Sequence, residues 1–405
     1  MRAAETTLDA SCCIVGGGPA GMMLGFLLAR QGVATIVIEK HESFIDDFRG
    51  DMIHPATMEA MADLGFLDEF LRMPHQKTRE FVADFGGIRT PLADFSGIKS
   101  AAPFIAFLPQ DAFLGFLAAK ARQFPSFRLL TGTRATSLLN HGGRVAGVRA
   151  SREEEEFEIR ARITVGADGR GSQVRAWAGL PLKEIGSPID VFWMRIARSP
   201  GAIEDSLRIV RPGRILSVID RGDYFQCGYV MAKGSAGAVR ARGIDAFRRD
   251  LCEMAPMLAP GFGELRSFDD AKLLSVSVNR LKKWGGPGVL CIGDAAHAMS
   301  PVSGVGVNLA VQDAIAAAAE LGPALLRGET GDQANARVER RRKLPSILTQ
   351  MMQGAFERGP IAAVLRARGE MKTPLAISLL RHSRWLRRRA GELIGMGVRL
   401  ERVRP

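Results

Sequence analysis

Apolar residues near the start of the chain fall into short blocks. Residues 12–15 form a four-residue apolar run, the length of a buried strand, and the glycine-rich stretch 16–21 ends it. Residues 20–31 carry apolar side chains at helical spacing and stop at Gly32, a residue type favoured just past a helix end. Residues 35–39 (TIVIE) read as a second strand. Strand, helix and strand in this order predict a βαβ unit in a parallel sheet. Beyond it the pattern predicts a helix over 57–72 broken at Leu64-Gly65, strand-like alternation over 79–98, and a helix over 111–123. Strands follow from Phe127, with Asn140-His141-Gly142-Gly143 as a hairpin turn. More strands are expected at 191–198, 215–220, 224–232 and 267–278, with Arg221-Gly222-Asp223 as a turn. Residues 289–292 read as a buried strand again, 306–321 as an Ala-rich helix, and the chain from 335 as helical and basic. A β-rich middle between α/β flanks points to an inserted domain.

Composition narrows the function classes. The 405 residues are enough for two or three domains, with 46% hydrophobic and 24% charged residues, an ordinary globular balance. The net charge of +12 is local: residues 340–405 hold 16 Lys and Arg against 4 Asp and Glu, so the rest of the chain is neutral. With that distribution, and only 2 Tyr and 4 Trp for stacking, no nucleic-acid partner is expected. The five cysteines form no C-x-x-C pair, so neither a disulfide framework nor a metal site is expected. No unbroken apolar run reaches 18 residues, and the first residues lack a signal-peptide pattern, so a cytoplasmic location is the expectation.

Three motifs carry the chemistry. Gly16, Gly18 and Gly21 give G-x-G-x-x-G between strand and helix, with Pro19 and Ala20 inside it. The first glycine permits the tight turn, the second lets backbone approach a pyrophosphate, and the third allows close helix–strand packing. Glu39 ends the next strand 18 residues past Gly21, where a carboxylate accepts from ribose hydroxyls and disfavours a 2′-phosphate. The second motif runs from a strand into Asp168-Gly169, then Ser172 and Arg175. By itself it reads as a turn with a helix cap. In the third, a buried strand ends at Gly293-Asp294, and a loop with Pro301, Gly304 and Gly306 leads to a helix starting near Val307 and Asn308. Asp294 can accept from a polyol, and the helix N-terminus can face a ring edge that becomes anionic on reduction.

Together these motifs resemble the class A flavoprotein monooxygenases, the group that includes para-hydroxybenzoate hydroxylase. The resemblance spans about the first 340 residues. It implies an FAD-binding Rossmann-type (glutathione reductase-like) α/β domain, an inserted β-sheet substrate domain and a C-terminal helical region. The expected division is 1–78, 101–180 and 281–340 for FAD, 79–100 and 181–280 for substrate, and 341–405 for basic helices. It further implies that Glu39, with Lys40 beside it, binds adenosine ribose and that Asp168-Gly169 touches the pyrophosphate region. Asp294 would hold the ribityl chain, and Pro301 to Asn308 would line the isoalloxazine ring. Arg49 matches the family's arginine near the flavin, and Gln110 a position at the flavin linker. FAD would be held tightly without a covalent bond. NAD(P)H would bind briefly in a surface groove, since the chain has a single G-x-G-x-x-G. Ser303 stands where the resemblance leads one to expect glycine.

The implied reaction is NAD(P)H-dependent hydroxylation or epoxidation of a small aromatic or polyketide-like compound with O₂, through a flavin 4a-hydroperoxide kept from water. Pro301, His54 and Arg49 are the expected groups near the reacting atoms, with His54 as a candidate base for a phenol. Trp193, Arg195, Tyr224, Gln226 and Tyr229 are candidate substrate contacts from the β-rich insertion, although sheet packing or solvent exposure accounts for any one of them as well. Residues 374–395 place Leu375, Leu379, Leu386 and Leu393 at helical spacing among arginines. A C-terminal helix packed on the body with a solvated basic face is favoured over contact with an anionic membrane. Alternative functions on the same fold are a flavin-dependent halogenase or saturating reductase, and outside catalysis a flavin-binding protein without turnover. The W-x-W-x-I-P segment of tryptophan-type halogenases is missing.

Overall fold

The computed structural model describes residues 7–44, 52–198, 206–369 and 375–404; Arg49 lies outside the described residues. The apolar block at 12–15 is the buried end of a longer strand, Thr7–Val15. That strand sits inside a parallel array in the order Val289–Cys291, Glu155–Gly166, Thr7–Val15, Thr35–Ile38, Phe127–Leu130. Cys12–Val15, Thr35–Ile38 and the end of the long strand at 163–166 are buried on both faces because helices cover the sheet there. The helix Pro19–Arg30 buries ten of its residues there. Gly25 lets it approach: a Cβ at that position would lie 2.7 Å from a Val37 methyl. The hairpin expected at 140–143 joins Arg134–His141 to Arg144–Arg152, with Gly142 and Gly143 at φ +56° and +79°.

The helix expected at 306–321 continues through Pro323 to Leu326. With the residues before it, it is long and apolar enough to cross a bilayer, although it interrupts its apolar run at Asn308, Gln312 and Asp313. In the fold it is a core helix, mostly buried between Pro19–Arg30 and Asp332–Phe356.

Residues 80–94 and 189–275 meet in one seven-stranded sheet. Its order is Ala271–Ser275, Ile189–Ala197, Tyr224–Ala232, Arg214–Asp220, Leu207–Arg211, Glu80–Phe85, Ile88–Asp94. Neighbours are antiparallel except Leu207–Arg211 and Glu80–Phe85, the parallel pair where the early and late segments join. One face packs on the helices Ile244–Met254 and Ala259–Phe262, around Phe192, Tyr229, Phe247 and Phe262. The helix Ile244–Met254 was not among the expected elements, although its buried Phe247, Asp250, Leu251 and Met254 fall at helical spacing; the charged Asp250 interrupts the apolar stripe. The other face looks toward the parallel-sheet domain.

The C-terminal pattern resolves into two helices, Leu375–His382 and Arg384–Met396. Ser383 separates them and caps the second by accepting from the Leu386 amide at 3.3 Å. The last helix packs on the body through glycines one turn apart. A Cβ at Gly391 would sit 2.0 Å from the Asp94 carbonyl oxygen, and one at Gly395 2.8 Å from Ile98 Cδ1.

Candidate active site

A cavity of about 760 Å³ runs along the carboxyl ends of the parallel strands and is lined by all three motifs. The glycines of the first motif divide their work as the spacing implies. Gly16 has φ +107°, and a Cβ there would lie 2.4 Å from the Ala167 carbonyl oxygen. A Cβ at Gly21 would lie 1.9 Å from the Gly16 carbonyl oxygen. Gly18 lines the cavity and a Cβ there would meet nothing, so backbone is open to a ligand at that point. Pro19 and Ala20 also line it, at a helix N-terminus with no side-chain cap. Free amides and the helix dipole at that end suit a pyrophosphate. Glu39 accepts from the Gly17 amide at 2.8 Å and from the His41 amide at 3.1 Å. Its carboxylate is thus fixed on the cavity wall beside Lys40.

The second motif is both a cap and a wall. Asp168 Oδ2 accepts from the amides of Gln173 (2.7 Å) and Val174 (3.2 Å), while its Oδ1 is buried without a partner among the described residues. Ser172 Oγ accepts from the Arg175 amide at 3.0 Å. The Arg175 guanidinium donates to the Ala295 carbonyl (3.1 Å) and the Arg170 carbonyl (2.7 Å), tying the second motif to the third. Asp168, Gly169 and Gln110 line the cavity. Asp294 does so too, held by Arg170 Nε at 2.9 Å. Arg170 was missed in the sequence because nothing in its local pattern distinguishes it from a turn arginine, and the same holds for Arg221; Arg134, at a strand start, and Trp177, at a helix end, are also on the wall and carry no motif.

Pro301, Gly304, Gly306 and Val307 line the cavity from the third motif. Gly21 and Gly293 do not. Gly21 packs on Gly16, and the Gly293 amide donates to Asp313 Oδ2 at 3.1 Å. Asn308 is a clamp: Oδ1 accepts from the His54 amide (2.9 Å) and Thr57 Oγ1 (2.7 Å), and Nδ2 donates to the Met52 carbonyl (3.1 Å). Ser303 adopts φ +68°, the left-handed conformation that favours the glycine expected there from the resemblance. The unpaired Asp168 oxygen, the open Gly18 backbone and the uncapped helix end together fit a diphosphate-linked dinucleotide such as FAD.

A second cavity of about 370 Å³ adjoins the first. Met52, Trp193 and Pro301 line both. Its floor is the second sheet, its side the loop 301–309, and its roof the helices beyond 342 with Leu380, Leu393 and Ile394. Of the candidate substrate residues, Trp193 stands at the junction and Gln226 lines the first cavity, accepting from Arg221 Nε at 3.0 Å. Arg195 and Tyr224 line neither cavity; Arg195 lies over the Tyr224 ring at 3.9 Å near the surface. Tyr229 is on the opposite sheet face, edge-on to Phe247. The alternation that selected it assigned it the wrong face. His54 is fully buried outside both cavities, its Nδ1 donating to the Ile394 carbonyl at 2.9 Å. Burial lowers its pKa to about 4, against the pull of that backbone bond.

The flavin loop is held from behind by one face of the helix Asp332–Phe356. Gln350 Nε2 donates to the carbonyls of Asn279 (2.8 Å) and Ala298 (3.1 Å), and Gln353 Nε2 to those of Ser300 (3.1 Å) and Val302 (2.8 Å). One turn on, the buried Glu357 accepts from Ser187 Oγ at 2.9 Å and from Ser300 Oγ. Glu357 opens a π-helical turn, Glu357–Ile361, a local irregularity often found at functional sites.

The fold and the first cavity define a flavin-binding protein. The family described as FAD binding domain matches residues 9–353. A 6-methylpretetramide 4-monooxygenase of Streptomyces rimosus is 32% identical over 91% of this chain and 90% of its own length. A protoasukamycin 4-monooxygenase of Streptomyces nodosus subsp. asukaensis is 26% identical over 80% of this chain and 82% of its own. Among solved structures, PqsL of Pseudomonas aeruginosa superposes with a TM-score of 0.73 at 22% identity, covering 88% of this chain and 97% of its own. That last likeness concerns the fold. The chain belongs to the class A FAD-dependent monooxygenases.

Proposed function

We propose that this monooxygenase hydroxylates a polycyclic aromatic, polyketide-like phenol, with NAD(P)H as the electron donor. The observation that carries the reading is the pair of adjoining cavities, one lined by the FAD motifs and one apolar, sharing Met52, Trp193 and Pro301. The relative with 32% identity is named for a pretetramide substrate, which supports a fused-ring compound here. Bound FAD supplies hydride acceptance and oxygen activation.

The protein's residues bind, orient and exclude water. Glu39, Gly18, the helix start at Pro19 and Asp168 hold the dinucleotide end. Pro301, Gly304 and Gly306 present backbone at the junction where ring and substrate meet. The Trp193 ring and the aliphatic wall Ile189, Val191 and Val230 keep water from the reacting region. His54 takes no proton in this reading: it is buried away from both cavities and neutral above about pH 4. Its role is to position the loop through Asn308 and Ile394. A cytoplasmic location fits a donor such as NAD(P)H.

The test is oxygen incorporation. Purified holoprotein is incubated with NADH or NADPH, ¹⁸O₂ and a panel of fused-ring phenols. One ¹⁸O atom in the product per nicotinamide oxidised is expected. Substrate saturation or reduction without ¹⁸O would favour a reductase, and no ligand-stimulated nicotinamide oxidation would favour a binding protein without turnover.

A further inference from the structure

The second cavity is apolar over most of its wall, yet its charged lining is one-sided. Among the described residues it includes Arg208, Arg342 and Arg399 and no aspartate or glutamate. Arg342 is neutralised: its Nε donates to Asp313 Oδ1 at 2.9 Å, and its Nη1 lies 3.5 Å from Glu401 Oε1. Arg399 is exposed at the rim. Arg208 is different. It lies inside the cavity wall over the Phe81 ring, 4.2 Å from its centroid, and has no acidic partner among the described residues. Loss of water around it lowers its pKa to about 10, so it remains a cation at neutral pH. A half-buried guanidinium with no acid beside it among the described residues is costly, and a ligand anion is a partner that relieves the cost.

The sheet fixes where that partner would lie. Trp193 pairs with Gly228, Gly228 with Ser217, Ser217 with Arg208 and Arg208 with Ala83, one row across the sheet whose five residues all line this cavity. The Trp193 ring lies flat over Gly228, where a Cβ would be 2.9 Å from it. From Trp193, at the flavin junction, to Arg208 is three strand spacings, about 14 Å. Ser217, next to Arg208 in the row, adds a hydroxyl donor.

We propose that Arg208, with Ser217, is an oxyanion subsite at the far end of the substrate cavity, so that the preferred substrate is an extended fused-ring compound bearing a carboxylate or an ionised vinylogous acid remote from the carbon that is oxidised. The proposal rests on the second cavity being the substrate cavity. The guanidinium reads the charge, while Trp193 and the aliphatic wall read the rings.

Calorimetry on the FAD-loaded protein, without nicotinamide, tests it. The probes are anthracene-2-carboxylate against its methyl ester, and 2-hydroxy-1,4-naphthoquinone, ionised at neutral pH, against its 2-methoxy ether. Each pair isolates one source of the oxyanion. We expect an acid to bind about tenfold or more tighter than its neutral partner, as a charge-assisted hydrogen bond allows. Arg208→Gln should abolish the preference with little change for the neutral partner, and Arg208→Lys should keep part of it. Arg399→Gln should leave it intact. FAD content and melting temperature of each variant show whether it folds. Equal binding within both pairs by the wild-type protein, or a preference that survives Arg208→Gln, overturns the proposal. Should the esters bind and stimulate nicotinamide oxidation without preference for the acids, the subsite fails while the monooxygenase reading stands.

Discussion

At Ser303 and Gly304 the backbone is left-handed at two successive positions, φ +68° and +62°, beside the junction of the cavities. A side chain in that conformation costs about 1–2 kcal/mol, offset in part by the extra freedom that glycine brings to the unfolded chain. Ser303→Gly should therefore raise stability by about 0.5–1 kcal/mol, read as a small rise in melting temperature. Gly304→Ala should do the reverse, because its Cβ would fall within 2.4 Å of Met52 Sδ. Its FAD should dissociate more readily, a change followed by the recovery of free-flavin fluorescence. His54 supplies a pH signature. Its folded pKa of about 4 is below the usual histidine value of 6.5, so the unfolded chain binds the extra proton first. Stability should be constant above about pH 7 and fall between pH 6.5 and 4, by about 3 kcal/mol from this group. His54→Asn, which can keep a donor to Ile394, should flatten that part of a melting-temperature profile; an unchanged acid slope would remove His54 as its source. The glycines and Glu39 were legible in the sequence because each satisfies a backbone requirement at fixed spacing. Arg170 and Arg208 were not, since an arginine's importance depends on which acids reach it in three dimensions.

The element that most shapes the flavin loop lies outside the three motifs. The helix Asp332–Phe356 and the π-helical turn after it put Gln350, Gln353 and Glu357 on one face, where they satisfy the loop's carbonyls and the Ser300 hydroxyl. Gln353→Leu would leave the Ser300 and Val302 carbonyls unpaired, a loss of about 1–3 kcal/mol for each buried group. Weaker FAD retention and a lower melting temperature are expected, measured by flavin released on dialysis and by thermal denaturation. An unchanged off-rate would mean that Gln350, Glu357 and Asn308 hold the loop without Gln353. The sequence marked this stretch only as helical and basic, because glutamines facing a loop and glutamines facing water share the same period. The strands of the second sheet were legible by alternation, but their facing was not. Residues 226 and 229 differ by an odd number of positions, so Gln226 and Tyr229 occupy opposite faces, and only the helices Ile244–Met254 and Ala259–Phe262 reveal which face is filled.

For the molecule as a whole, the C-terminal segment is a stitch across the FAD-binding body. Asp313 sits between His297 Nε2 (2.6 Å) and Arg342 Nε (2.9 Å) with almost no exposure, and it also accepts from the Gly293 amide. Burial pushes its carboxyl pKa up, but His297 and Arg342 outweigh that and the net shift is downward, so it stays ionised. Arg342 reaches on to the Arg399 carbonyl at 3.2 Å and to the buried Glu401, which also pairs with Arg341. The next two residues also bind the body: Arg402 pairs with Glu59 and Asp63, and the Val403 amide donates to Asp63 at 3.0 Å. The two sets of ion pairs should not be worth the same. Arg402 is half exposed although its partners Glu59 and Asp63 are not, so Arg402→Ala should cost about 1–2 kcal/mol. Glu401 is 1% exposed at its side chain, and Glu401→Gln would leave Arg342 with one carboxylate for two buried cationic contacts. Breaking a buried pair from one side costs about 3–5 kcal/mol. For a chain of 405 residues that lowers the melting temperature by roughly 4–6 °C. Because the same network ends on the Gly293 amide, at the turn into Asp294, the Glu401 variant should also lose FAD faster, while the Arg402 variant should not. Thermal melts read by flavin fluorescence report both effects at once. Equal losses in the two variants would mean that the tail holds on by its surface contacts and that the buried chain of charges does not reach the cofactor.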